Sequence, residues 1–344
     1  PVFAPVSVVF LLHLARLKPI GELIAAALRW LPVFVLAGTA LWAWAFMHIY
    51  LEPVTRIAAS RWMYENIPTA VTLELRDGGE IQVPIRPNTT LSAGTQRTQA
   101  VLDADEGGWV EAVRVNKINP RAVPGPRLLK VAVDDGAGEG TITFTEPEIA
   151  TLRVPLNTAV RVSDDGSTVV EITLVRGASV NLDTSVIANE HWDDGLPLRL
   201  GDKDPFWNWY RGLNSSPTGQ MNNYDEDTEE KRQQLLDWLD EADVIALSSN
   251  RLYASIPRLP MRYPLTTAYY EALFKGDLGF ELQAEFVSYP TLGSVQFPDQ
   301  EIPFPIMGAA HSNAETYSVP FPPAEEAFSV YDRPTVLLFT KTSN

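Results

Sequence analysis

The densest group of chemically capable residues in this 344-residue chain is an acidic run beside an aromatic ring. Two adjacent carboxylates next to an indole can bind sugar hydroxyls while the ring stacks on the sugar face. A short contiguous run supplies only part of a metal shell, so no metal site is predicted. The structural alternative is a turn at the two aspartates with the indole in the core. The residues of this candidate substrate site are Glu190, His191, Trp192, Asp193 and Asp194.

A second candidate site follows the apolar run DVIALSS, which predicts a buried strand. Side chains directly after a strand commonly contact ligands in α/β folds. Three guanidinium groups can bind a phosphate or an anionic lipid headgroup through charge-assisted hydrogen bonds. They can equally pair with the many carboxylates of this acidic chain and hold their loop in place. The candidate substrate-binding residues here are Asn250, Arg251, Arg258 and Arg262.

An aromatic patch lies between these two sites, within DKDPFWNWYRG at residues 202–212. Aromatic rings beside acids favour a carbohydrate-binding platform. The same composition is typical of a surface close to a bilayer, or of a buried core. The residues concerned are Asp202, Asp204, Phe206, Trp207, Trp209 and Tyr210.

The overall composition excludes several function classes. A formal net charge of −16 repels phosphate backbones, so no nucleic-acid partner is predicted. The chain has no cysteine, which excludes disulfides, thiolate metal sites and a cysteine nucleophile. Its four histidines lie far apart in the sequence, and no cofactor is predicted. No known hydrolase or phosphate-loop motif is present, and no catalytic residue is assigned.

The segment from Trp30 to Leu51 carries no Asp, Glu, Lys or Arg. About 20 apolar residues cross a bilayer core of about 30 Å, so we predict a transmembrane span at about 30–51, with membrane lipid as a partner. Residues 1–15 are also apolar and are expected to end an earlier span. Three basic residues precede the span and two follow it, and the side with more basic residues tends to lie in the cytoplasm. The acidic remainder of the chain is therefore placed outside the cytoplasm. Arg56 and Arg61 are expected either to contact lipid headgroups, which is the simplest account, or to be held by partners within the protein.

The elements after the span fall into three regions. A juxtamembrane helix is predicted within residues 52–68, and the short alternating runs of 69–184 predict an antiparallel β-sandwich. Residues 185–344 predict a mixed α/β domain. In that domain Asp227 and Glu230 form a capping-box pattern before one helix, and a second helix is predicted from Pro264 to Lys275 with Gly276 at its end.

Several long phrases carry a family resemblance. Together they resemble the C-terminal part of the YYY-type multipass membrane proteins of bacteria and archaea, which are similar to membrane glycosyltransferases of the GT-C type. In the family pattern ENIP leads almost directly into IANEHWDD, which makes residues 69–184 an inserted module here. The phrases are TRIAASRWMYENIP (55–68), VIANEHWDDGLPLRL (186–200), ADVIALSSNRLYASIPRLPMRYPLTTAYYEALFKGDLGFEL (242–282) and AEEAFSVYDRPTVLLFTK (324–341).

The resemblance implies an α+β fold: a C-terminal transmembrane helix, or two, followed by an external mixed α/β domain with the inserted antiparallel sandwich. It implies the C-terminal, non-catalytic portion of a glycosyltransferase that uses a lipid-linked sugar donor, with the external domain shaping acceptor binding. Its expected partners are a polyprenyl-phosphate sugar and a glycan or protein acceptor. The family's catalytic carboxylate matches no position in this sequence. The alternative is a membrane-anchored carbohydrate-binding or structural envelope protein without catalysis.

Overall fold

The computed structural model describes residues 22–100, 108–162, 168–190, 195–201, 209–213, 220–300, 302–305 and 317–342. These residues form two compact units. The helical unit consists of the described residues of Pro1–Pro53, Ser288–Asp299 and Ser312–Pro323. The main unit consists of those of Val54–Val287, Gln300–His311 and Ala324–Asn344.

The helices begin and end at local sequence signals. Gly276 adopts the left-handed conformation, with φ of 79°, and ends the helix predicted from Pro264 to Lys275, which is confirmed. The N-cap of the helix at Glu229–Glu241 lies one residue later than the predicted Asp227. The side chain of Thr228 accepts the backbone N–H of Lys231 there, at 3.1 Å. The α-helices of the described chain are α1 (Glu22–Met47), α2 (Thr55–Asn66), α3 (Glu229–Glu241) and α4 (Pro264–Lys275), and short 3-10 turns cover His48–Tyr50, Ile256–Arg258 and Glu326–Phe328.

The chain is mixed α and β with mostly strands, which confirms the α+β class in its coarse form. The strands of the described residues are β1 (Val71–Leu75), β2 (Glu80–Val83), β3 (Thr89–Leu91), β4 (Gln96–Ala100), β5 (Trp109–Asn119), β6 (Arg127–Val133), β7 (Gly138–Phe144), β8 (Ala150–Arg161), β9 (Val169–Arg176), β10 (Val180–Asp183), β11 (Val186–Glu190), β12 (Arg211–Gly212), β13 (Val244–Leu247), β14 (Phe280–Phe286), β15 (Thr291–Leu292), β16 (Val295–Gln296), β17 (Tyr317–Ser318) and β18 (Val336–Lys341).

Helix α1 is long and apolar enough to cross a membrane, a property that the hydrophobic segment of a signal sequence shares. Most of its apolar side chains from Trp30 to Met47 are exposed. The helix lies near the N-terminal end of the chain, and no other helix of the described residues passes the same test. The expected C-terminal transmembrane helix is therefore not supported, because the described residues after Pro53 form strands and shorter helices instead.

Two antiparallel sheets pack around one core between Val71 and Asp183. One sheet has the order β2-β1-β5-β10-β3, with β8 also paired to β5, and the other has the order β4-β9-β6-β7. The alternation along the strands explains the packing, since Leu129, Val131 and Val133 on one face of β6 are all fully buried. The prediction of antiparallel sheets in this region is confirmed.

Two glycines in β7 permit its close approach to β8. A Cβ added at Gly140 would overlap the carbonyl oxygen of Pro155, and one added at Gly138 would lie 2.6 Å from that of Thr158. We expect Gly140→Ala to lower the free energy of unfolding by about 1–3 kcal/mol, because backbone atoms of β8 must move. Chemical unfolding of the detergent-solubilised chain measures this loss.

Gly79→Ala is the matched control for that substitution. An added Cβ there lies 3.2 Å from Oδ1 of Asp77 and from Cδ1 of Leu75, which are ends of side chains and need to shift by only a few tenths of an ångström. Its expected loss is below about 0.5 kcal/mol. Equal losses in the two variants would show that the approach of β7 to β8 is not tight.

A second sheet in the main unit has the order β12-β11-β13-β18-β14. Strands β12, β11 and β13 are parallel, whereas β18 is antiparallel to both β13 and β14. Alternate residues of these strands lie in two different hydrophobic clusters, one on each face of the sheet. Ala188, Ile245 and Leu337 share a cluster with α3 and α4. Their neighbours in sequence share another cluster with α2, so helices cover both faces of the sheet.

Candidate functional site

The parallel strands β11 and β13 end at the same edge of the α/β sheet. Glu190, the last residue of β11, is the register partner of Leu247, the last residue of β13. Asn250 follows three residues later. We call Glu190 and residues 248–250 the carboxyl edge. Ligands of open α/β sheets bind outside the carboxyl ends of the strands, so this edge is the natural place for a site.

Glu190 is buried at this edge with only 2% of its surface exposed. Its Oε1 accepts a hydrogen bond of 2.8 Å from Nδ2 of Asn223. Burial raises the pKa of Glu190 to about 8, against the hydrogen bond from Asn223 and the positive charge of Lys231, which both lower it. The carboxyl group is therefore mostly protonated at neutral pH, and it can donate a hydrogen bond as well as accept one.

Lys231 of α3 organises the residues beneath Glu190. Its side chain is 5% exposed, and its Nζ lies 2.9 Å from Oδ1 of Asp227 and 2.6 Å from Oγ1 of Thr266. The same ammonium group donates to the carbonyl oxygens of Asn223, at 2.9 Å, and Asp225, at 2.6 Å. Because protein acceptors already surround this ammonium group, it stabilises the fold and is not placed to bind an anionic ligand.

Asp227 caps the N-terminus of α4. Its Oδ2 accepts the backbone N–H groups of Leu265, at 2.6 Å, and Thr266, at 3.2 Å. Burial raises the pKa of Asp227, but hydrogen bonds from Lys231 and Thr266 outweigh that effect and hold it below its ordinary value. Asp227 is therefore an ionised helix cap, paired with Lys231, that fixes α4 relative to α3.

Three buried side-chain oxygens at or next to the carboxyl edge make no hydrogen bond to any described residue. They are Oε2 of Glu190, Oδ1 of Asn223 and Oδ1 of Asn250. An unsatisfied buried polar atom costs about 1–3 kcal/mol, so such atoms usually have a partner. Tyr269 is buried beside them. Burial, followed by the negative charge of Glu190, raises its pKa well above the ordinary value, against a hydrogen bond with the side chain of Asn223 that lowers it. A polar ligand at this edge would satisfy these oxygens.

Only one residue of the acidic run in the first candidate site lies in the part of the chain that the structure describes. Glu190 lies at the carboxyl edge, whereas His191, Trp192, Asp193 and Asp194 lie outside the described residues. Sugar binding by those four residues, and the alternative of a turn with a core indole, both stay predictions.

The residues of the second candidate site have different partners and surroundings. Asn250 is 3% exposed at the carboxyl edge. Arg251 lies 5.5 Å over the ring of Tyr331 and donates to its hydroxyl at 3.2 Å. Arg262 forms an ion pair with Glu226, which is the pairing that the structural alternative predicts. Arg258 is exposed at the end of its 3-10 turn. A common anion site of the three arginines stays a prediction.

For two other predictions the structure agrees with the structural alternative. Arg56 does not extend toward lipid headgroups, because it is 8% exposed and donates to the carbonyl oxygens of Ser248, at 3.2 Å, and Val330, at 2.8 Å. It thereby holds the backbone of the carboxyl edge. Trp209 and Tyr210 are 4% and 1% exposed, which confirms the buried-core alternative for these two residues. The rest of that aromatic patch, Asp202, Asp204, Phe206 and Trp207, lies outside the described residues.

No sequence pattern marks Asn223, Lys231 or Tyr269 as residues of the site. Lys231 has the position of an ordinary solvated lysine in an amphipathic helix, and no local signal distinguishes it. Asp227 carried a detectable signal, since its residue type favours helix capping, but the helix it caps is a different one. Tyr269 lies in the apolar stripe of α4, where an aromatic residue is expected in any case.

Comparison of the chain with protein-family models, with curated proteins and with solved structures finds no match. In the part of the chain that the structure describes, no group of three or more His, Asp or Glu side chains is placed to hold a metal ion. The groups with unsatisfied oxygens are one carboxylic acid and one amide at the carboxyl edge, Glu190 and Asn250, and the amide of Asn223 next to it. Such groups bind neutral ligands that both donate and accept hydrogen bonds.

Proposed function

We propose that this chain is the C-terminal, non-catalytic portion of a GT-C-like membrane glycosyltransferase, and that its main unit binds a hydroxyl-rich acceptor at the carboxyl edge. The observation that carries the proposal is the set of three buried oxygens on Glu190, Asn223 and Asn250 that lack partners in the described chain. Sugar hydroxyls pair with such a set because each can donate and accept. The membrane context rests on the resemblance and on α1. A polyprenyl-phosphate sugar is the proposed donor of the whole enzyme.

Membrane anchoring by α1 is supported by the packing within the helical unit. The ring of Trp42 stacks on Phe321 with centroids 4.5 Å apart and meets Phe297 edge-on at 5.5 Å. Both phenylalanines come from segments far along the chain. A signal sequence that is cleaved would not contribute to such contacts, so these contacts favour a retained anchor. The side of the membrane that we propose for the main unit, outside the cytoplasm, follows from the basic residues that flank the span.

A binding experiment tests the acceptor site. The full chain in lipid nanodiscs is screened against an array of neutral oligosaccharides, and we expect selective binding. Asn250→Ala removes one buried acceptor and should weaken that binding by about 5- to 150-fold, the equivalent of 1–3 kcal/mol. Asn66→Ala, at an exposed asparagine of α2, is the matched control and should bind as the wild type does. Unchanged binding by Asn250→Ala, or no oligosaccharide bound at all, would contradict the acceptor site.

The second candidate is a membrane-anchored carbohydrate-binding envelope protein without catalysis, which uses the sandwich. Trp109 at the start of β5 favours it, since this side chain is 49% exposed and Arg76 lies 5.9 Å over its ring. An exposed indole held in place by a neighbouring side chain can stack on a sugar face. Oligosaccharide binding that persists in Asn250→Ala but falls in Trp109→Ala would favour this candidate over the first.

A further inference from the structure

The helical unit contains a second element beside α1, which we call the collar and define as residues 288–299 and 317–323. Strands β15 and β16 pair antiparallel, and β16 pairs parallel with β17, so the collar is a small three-stranded sheet. Its phenylalanines enclose Trp42 of α1. Near the same end of the helix Ala45 and Ile49 are 1% and 5% exposed. The collar is therefore attached to the C-terminal end of the apolar helix.

The exposed side of the collar is apolar and aromatic. Tyr317, Val319 and Phe321 are 73%, 45% and 42% exposed. Charged residues make up 20% of the whole chain, yet Asp299 is the only one in the two collar segments, and it is 5% exposed. A surface that faces bulk water normally carries charges of both signs. Aromatic and small apolar side chains without charges are typical of the interface between a membrane and water.

The backbone of the collar limits how deep it can lie. The N–H groups of Phe297, Tyr317 and Val319 donate to carbonyl oxygens of the collar at 3.0, 2.8 and 2.9 Å. A three-stranded sheet nevertheless has two edges whose remaining polar groups need water. Such edges are not tolerated against hydrocarbon, whereas the headgroup region supplies water to pair with them. The collar therefore suits the headgroup region and neither the bilayer core nor bulk solvent.

We propose that the collar is a lipid-contacting element that lies in the headgroup region of a phospholipid bilayer and fixes the depth at which α1 sits. Interfacial aromatic anchors set the position of a transmembrane helix, and here a distant segment of the chain supplies them. The proposal rests on the proposed function in one respect, namely that α1 crosses the membrane.

The lack of cysteine in this chain permits a direct test by single-cysteine labelling. Val319→Cys in the collar is compared with Val175→Cys in the sandwich, because the two valines are 45% and 44% exposed. Leu36→Cys, at a 70% exposed position of α1, reports on insertion of the helix itself. Each variant carries an environment-sensitive fluorophore and is reconstituted in vesicles of phosphatidylcholine and phosphatidylglycerol. Quenching by aqueous iodide is compared with quenching by lipids that are spin-labelled near the headgroup.

We expect the label at Val319 to be quenched by the shallow spin-labelled lipid and to be about threefold or more less sensitive to iodide than the label at Val175. Equal iodide sensitivity at these two positions, with the label at Leu36 still quenched by lipid, would overturn the collar proposal and leave the membrane anchor intact. A label at Leu36 that iodide quenches freely would overturn the anchor and the collar together. The two failures are thus distinguishable.

Discussion

Replacing Lys231 by Met should lower the free energy of unfolding by about 3–5 kcal/mol, which is the usual loss when one partner of a buried ion pair is removed. Lys231 and Asp227 have side chains that are 5% and 7% exposed. Without the ammonium group, the buried carboxylate of Asp227 has no ion-pair partner and keeps only its hydrogen bonds from the first residues of α4. The polar atoms of Thr266 and Asn223 that Lys231 contacts lose a donor as well. Chemical unfolding of the detergent-solubilised chain at neutral pH measures the loss.

Lys275→Met is the matched control, because it removes the same type of charge from another ion pair with i,i+4 spacing. Lys275 lies 2.6 Å from Glu271 in an i,i+4 pair whose side chains are 43% and 50% exposed. Exposed helical pairs contribute about 0.3–0.5 kcal/mol, so this variant should unfold almost as the wild type does. Similar losses in the two variants would contradict the role of Lys231 as an organising residue.

The Lys231 pair also has a defined pH dependence. The pKa of Asp227 is lowered in the folded state relative to its ordinary value of 3.8. A carboxyl group of this kind stabilises the fold above its unfolded pKa, and the stabilisation is lost as the pH falls through the folded value. In Lys231→Met the part of this contribution that comes from Lys231 is absent, while the hydrogen bonds from Thr266 remain, so the mutant should lose less stability than the wild type on acidification.

The parts of the fold that could be predicted are those that local signals specify. The ends of α4 follow from Pro264 and Gly276, whose backbone preferences act within a few residues. The antiparallel sheets follow from strict alternation, because a period of two places one face of each strand in the core. In contrast, no local pattern shows that β18 inserts between β13 and β14, since strand pairing over such separations depends on the whole core.

The candidate site was predictable to the same limited extent. Glu190 and Asn250 are polar residues that directly follow apolar runs, so the sequence indicates them. Asn223 reaches Glu190 only because a loop folds back on β11, where the N–H of Met221 donates to Asn189 at 2.8 Å. The burial of Arg56 is not indicated by the sequence for the same reason, since its carbonyl partners belong to distant segments.

Within the main unit, the ends of the antiparallel sandwich lie where it joins the α/β sheet. Their positions relate to the predicted insertion of residues 69–184. Val71 of β1 and Asp183 of β10 pair with Val115 and Lys117 of the same strand, β5. Nearby, Oγ of Ser185 donates to the carbonyl oxygen of Pro68 at 2.6 Å. The chain therefore enters and leaves the sandwich at neighbouring points. This arrangement is what an insertion that leaves the parent α/β sheet intact requires, and it supports the prediction.

Glu190 and Asp227 have opposite effects on how the stability of the fold changes with pH. The folded pKa of about 8 lies above the ordinary value of 4.5, so the folded state keeps a proton that the unfolded state releases. Stability is therefore lost as the pH rises from 4.5 to 8, and at pH 7 the cost is about 3 kcal/mol. Glu190→Gln cannot ionise and keeps an oxygen that accepts from Asn223. It should remove this part of the pH dependence and be more stable than the wild type at pH 7.

Unfolding measured at several pH values between 5 and 8 tests this prediction, with Glu65→Gln as the control for the change in net charge. Glu65 is an exposed residue of α2, and its variant should retain the slope of the wild type. An unchanged slope in Glu190→Gln would show that Glu190 is ionised in the folded state. A charged carboxylate at the carboxyl edge would only accept hydrogen bonds, whereas the proposed site needs a group that also donates to a sugar oxygen. The pH profile of a stability measurement thus tests the chemistry of the binding site without a ligand.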